Sequence, residues 1–100
     1  MESEKLNALI DSGYADEAGL AAEVASADGV KYLCVNGEVV TLAAGDPPVK
    51  VFSDSIDKLE NLTVKSGLFK KRICFTHNGE AYDLAVKGGK NVVEYFKLIG

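Results

Sequence analysis

The chain has no tryptophan, one methionine, one histidine, two cysteines and two prolines in 100 residues. Each scarcity closes off a class of protein. Two cysteines, Cys34 and Cys74, are too few for a disulfide scaffold. Both fall in strand-like segments and are expected to be buried or half-buried thiols. One histidine cannot complete the usual Cys/His metal-ligand set. Cys74 and His77, three apart on a strand, would also point to opposite faces. No apolar run approaches the roughly 18 residues of a membrane-spanning helix. Met1-Glu2-Ser3-Glu4-Lys5 carries no signal-peptide pattern, so the expected compartment is the cytoplasm. Bases are scarce in the first third. Residues 1–30 hold seven acids and one base, residues 31–100 eight acids and ten bases, which together give the net charge of −4. So small a basic excess argues against nucleic acid as a partner.

Groups for catalysis are equally thin. His77 lies beside a turn and is expected as a solvated cross-strand partner of Glu80. Gly88-Gly89-Lys90 lacks the spacing of a phosphate-binding loop. Asp46, Asp54, Asp57 and Glu60 stand singly, without the alternation of a calcium loop. Asp54 and Asp57 are expected to end turns. The sequence identifies no catalytic residue, metal ligand, cofactor or small-molecule substrate, and the expectation is a protein that is not an enzyme. A small enzyme or thiol-redox protein using Cys34, Cys74 or His77 is the least supported alternative.

Apolar residues make up 47% of the chain, enough for one domain with its own core. The clearest pattern is Phe69–His77, Asn78-Gly79, then Glu80 onward. Asn-Gly tolerates positive φ and suits a two-residue type I′ turn. That turn sets His77 opposite Glu80, Phe75 opposite Tyr82, Ile73 opposite Leu84 and Lys71 opposite Val86. Arg72, Cys74 and Thr76 then face Ala85, Asp83 and Ala81 on a more polar side. Slipping by one residue would turn Phe75 and Tyr82 outward, which fixes the register. After Gly88-Gly89, Val92, Phe96 and Ile99 form an apolar stripe with Tyr95 alongside, predicting a helix over 90–99 with Asn91 as its cap.

Upstream, residues 2–11 read as a short helix with Leu6, Leu9 and Ile10 on one side. Residues 16–25 read as a second helix, rich in alanine, with Leu20 and Val24 four apart. Residues 1–29 thus form an acidic helical extension, either packed on a sheet or a mobile arm. Residues 30–35 and 38–43 form a hairpin around Asn36-Gly37, pairing Val35 with Glu38 and Leu33 with Val40. Both of its faces are apolar, so it needs cover on both sides or lends one to another subunit. Pro47-Pro48 mark a strand start or an edge. Residues 49–53 read as a strand, Asp54-Ser55 as a turn, residues 56–59 as a weak strand, and residues 62–65 as a strand with Leu62 and Val64 inward.

These seven strand candidates and closing helix, with the pattern Leu62-Thr-Val-Lys-Ser-Gly-Leu-Phe-Lys-Lys-Arg-Ile-Cys-Phe-Thr-His-Asn-Gly-Glu-Ala-Tyr-Asp-Leu-Ala-Val-Lys, resemble the pleckstrin-homology-like fold over residues 30–100, in particular its small bacterial members. The resemblance implies an α+β, mainly β architecture of two bent sheets plugged by the C-terminal helix. It also implies a bacterial or phage source and a non-enzymatic role in binding proteins, peptides or lipids, or in self-assembly. Lys65, Leu68, Lys70, Lys71 and Arg72 form the candidate binding residues, a basic cluster around a hairpin loop. Its expected partner is a protein or a second copy, with an anionic membrane as the alternative. The eukaryotic lipid-binding members carry their basic motif between the first two strands. Val35-Asn36-Gly37-Glu38 here holds no base, which weighs against phosphoinositide binding.

Overall fold

A computed structural model of the chain describes residues 3–16, 20–67 and 70–99. Helix α1 (Ser3–Asp11) leads into seven strands: β1 (Ala21–Ser26), β2 (Gly29–Asn36), β3 (Val39–Ala44), β4 (Val49–Ser55), β5 (Glu60–Ser66), β6 (Lys71–His77) and β7 (Glu80–Gly88). Helix α2 (Lys90–Ile99) follows, and a single 3-10 turn (Ile56–Lys58) separates β4 from β5. All pairings are antiparallel, in the order β4-β3-β2-β1-β7-β6-β5. The fold is thus mainly antiparallel sheet with one helix at each end of the chain.

The β6–β7 hairpin has the expected register, with Phe75 opposite Tyr82 and His77 opposite Glu80. Asn78 and Gly79 both take positive φ, 51° and 79°, as a type I′ turn requires. The β2–β3 hairpin differs. Its two-residue turn is Gly37-Glu38, so Asn36 pairs with Val39 and Leu33 with Leu42. The slide keeps every side chain on its expected face while changing its partner. Gly37 alone supplies the positive φ. Asn36 instead sends its side-chain amide to the Gly13 carbonyl at 3.3 Å, tying the hairpin to the loop after α1.

Of the second helix expected over residues 16–25, residues 17–19 lie outside the described residues and residues 21–25 are strand. Residues 21–26 are β1, a central strand between β2 and β7, so the sheet begins earlier than residue 30. Its alanines misled because their helical propensity is a weak prior that tertiary context overrides. Small side chains are needed here for close approach: a Cβ on Gly89 would fall 2.5 Å from the Ala21 carbonyl and 2.6 Å from the Ala22 Cα. Two further differences concern the β4–β5 connection. Asp54 and Ser55 belong to β4, and residues 56–58 are the 3-10 turn instead of a strand.

The sheet curls, and its concave side holds the main core. Leu33, Val35, Val40, Leu42, Ile73, Phe75 and Leu84 meet Val92, Val93 and Phe96 of α2 there. Leu62 and Val64 pack at its margin, as expected. Helix α2 buries Val92, Val93 and Phe96, while Ile99 is half exposed at the last turn. The helix starts at Lys90, so Asn91 lies in its first turn and does not cap it. Phe52 of edge strand β4 closes the curl. Its ring lies 5.9 Å from Phe75, 5.5 Å from Tyr82 and 4.1 Å from His77, and Phe75 stacks on Tyr82 at 5.2 Å. The convex side of β1–β3 has a second core, where Ala21, Tyr32, Cys34 and Ala43 pack against Leu9 and Ala15, with Leu6 and Ile10 alongside. Helix α1 therefore supplies the cover that the two-sided ribbon needed. Burying Leu9 there contributes roughly 1.5–3 kcal/mol.

Candidate functional site

The convex side of the sheet is divided. Over β1–β3 it is covered by α1. Over β5–β7 it stays exposed or half exposed, with short side chains and the Arg72–Asp83 pair at its centre and lysines at its margin. Alternation from the core residues Ile73, Phe75 and Leu84 puts Arg72, Cys74 and Thr76 on this face opposite Ala85, Asp83 and Ala81. Thr63 and Lys65 continue it on β5, opposite Cys74 and Arg72. At its centre the Arg72 Nε donates to the Asp83 carboxylate at 2.7 Å, and the Cys74 thiol donates to the same oxygen at 3.3 Å. The guanidinium holds the Asp83 carboxyl below its ordinary range. Partial burial, and then Asp83, push the Cys74 thiol up. Arg72 is thus occupied by an internal partner.

Lys65, Lys70 and Lys71 surround that pair, and β7 adds Lys87. Among the described residues none of the four makes an ion pair. Lys70, Lys71, Arg72, Ala85, Val86 and Lys87 line a recess of about 350 Å³ with no acid in its wall. A neighbouring recess of about 220 Å³ shares Lys71, Val86 and Lys87 and runs to Gly88, Gly89 and Val93 at the start of α2. Of the candidate cluster, Lys70, Lys71 and Arg72 thus meet at one recess with Lys87 added, while Lys65 lies opposite Arg72 on β5, outside its wall. Leu68 and Phe69 lie outside the described residues. Lys87 was within reach of the sequence, because one step beyond the Lys71–Val86 pair sets Lys70 opposite Lys87.

A larger recess, about 460 Å³, opens between the β1–β2 turn, β4 and β7, with Val51, Tyr82 and Leu84 in its wall. Its one ammonium, on buried Lys31, is already held by Asp28 at 2.6 Å and Ser26 at 2.8 Å. Those bonds hold the Asp28 carboxyl at about 2. Lys31, Asp28 and Ser26 are thus bonded to one another across the β1–β2 turn.

His77 is not the solvated partner of Glu80 that the turn predicted. It is buried, stacked on Phe52, and its Nε2 lies 3.0 Å from the Asp54 carboxylate. It braces the curl between β4 and β6. Asp57 does serve its turn, accepting a hydrogen bond from the Ser55 hydroxyl. Both cysteines are free thiols: Cys34 is buried under α1, where desolvation pushes it up to about 12, and Cys74 is half buried on the opposite half of the sheet. Among the described residues no group of His, Cys, Asp and Glu is arranged to hold a metal ion, and no helix is long and apolar enough to cross a membrane.

No family model, curated protein or solved structure matches this chain.

Proposed function

We propose that this chain is a non-enzymatic interaction module of the pleckstrin-homology-like type, which binds a protein partner or a second copy through the bare convex face of β5–β7. The asymmetry of the sheet carries this reading. One half of the convex side is sealed by the chain's own α1, and the other is left open with small side chains that let a partner approach closely. The element order supports the PH-like part: seven antiparallel strands, then a helix against the concave core. The test compares wild type with Ala81→Arg/Ala85→Arg, which places two long cations on that face. Light scattering on a sizing column and capture from native lysate are the readouts. Wild type should retain a partner or self-associate, and the variant should lose it. A strict monomer that captures nothing counts against the proposal.

The unpaired Lys65, Lys70, Lys71 and Lys87 favour a second reading, attachment to an anionic membrane surface. Flotation with phosphatidylserine vesicles tests it. Binding at low salt that weakens at high salt supports it, since salt screens exposed charges. No flotation at low salt removes it.

A further inference from the structure

We infer that the groove between the start of β6 and the end of β7 receives an extended acidic segment of a partner protein, its carboxylates meeting Lys70, Lys71 and Lys87. The inference rests on the interaction-module reading and names the chemistry of the partner.

Three observations converge. First, the cations are spare. Elsewhere Lys31 and Lys97 each have an acid within 4 Å, and so does Lys5, which reaches Asp46; within the recess wall Arg72 is held by Asp83. Lys50 and Lys58 lack such a partner but stand singly, on β4 and in the 3-10 turn. Among the described residues, unpaired ammonium groups converge on one recess only at the groove. Second, the recess is elongated. The two adjoining spaces share three lining residues and run from Lys70 to Val93, with Ala85, Val86 and Val93 as apolar wall. That shape accepts a chain whose side chains alternate acidic and small apolar, at about 3.3 Å per residue. Third, the rest of the molecule is strongly acidic. The net charge is −4, so without the three groove lysines, Lys70, Lys71 and Lys87, the remainder carries −7. A lipid surface or a nucleic-acid polyanion presents negative charge to that remainder as well as to the groove. A short acidic segment presents it to the groove alone.

The probe is a fluorescein-labelled peptide of about eight residues alternating Glu with Val, a typical strand length, read by anisotropy against its Gln-for-Glu counterpart. The Glu peptide should bind at least about tenfold more tightly than the Gln peptide and weaken as salt rises. Lys70→Glu/Lys71→Glu/Lys87→Glu, and the gentler all-Gln version, should lose at least about tenfold, while Lys50→Glu/Lys58→Glu should not. Circular dichroism and melting midpoints confirm that each variant is folded. Equal binding of the two peptides, no loss in either groove variant, or tighter binding to phosphatidylserine vesicles or single-stranded DNA than to the Glu peptide overturns the inference. Capture of one native partner equally by wild type and groove variants also overturns it, yet leaves the interaction-module reading standing. That reading fails separately if wild type captures nothing.

Discussion

Phe52 and Asp54 of β4 both hold the curl through the His77 ring, one by stacking on its face and the other through its Nε2. Phe52 sits on an edge strand yet touches three rings of β6 and β7. Phe52→Ala is expected to destabilise in urea unfolding, by less than the ~3–5 kcal/mol of a fully buried Phe, because Phe52 is half-buried at the edge of the core. Asp54 acts through charge. The hydrogen bond with His77, and then the Ser55 N–H, hold its carboxyl below the ordinary value of 3.8. A lowered folded-state value means that its contribution is present above 3.8 and is lost as pH falls through that lower value. Melting midpoints should therefore drop between roughly pH 4 and pH 2, and Asp54→Asn should flatten part of that drop. Asp28, Asp57 and Asp83 are lowered too and keep the remainder. The position of His77 was legible from the adjacent turn. Its partner was not, because Asp54 is 23 residues away and meets it only through the curl.

Elements set by neighbouring residues were the readable ones. The β6–β7 register follows from Asn78-Gly79 and a one-sided row of large apolar groups, and α1 follows from the spacing of Leu6, Leu9 and Ile10. β1 was hidden because its alanines serve close approach by other elements, which no local window reports. The β2–β3 turn slid by one residue for a similar reason, since Asn36 has a distant partner in Gly13. The Gly89 junction tests this dependence on distant packing. Gly89→Ala would drive its Cβ into β1 backbone at a φ of +101°, and should cost more than about 2 kcal/mol with loss of helical signal. Gly79→Ala, at a φ of +79° with open space around it, should cost only about 1 kcal/mol. Removing residues 1–16 uncovers Tyr32, Cys34 and Ala43. Thiol titration should then find Cys34 reacting at least about tenfold faster than in the intact chain, since α1 controls its access.

Over the whole molecule, the curled sheet assigns its surfaces unequally. The concave side is filled by core and α2, and one convex half is sealed by α1. The other convex half and the lysine groove beside it stay open. The seven-strand count held although one expected strand, residues 56–59, proved a turn and one expected helix proved a strand. The alternation of β5–β7 made the open face readable, whereas the groove emerged only when β6 and β7 were joined at Lys87. An amide-resolved NMR titration of the intact chain with the Glu–Val peptide tests the surface assignment most directly. Shifts are expected to cluster at Lys65, Lys70–Arg72 and Ala85–Gly89, with α1 and the Asp28–Lys31 recess unmoved. Shifts centred on α1 or on that recess, or none at saturating peptide, would contradict it.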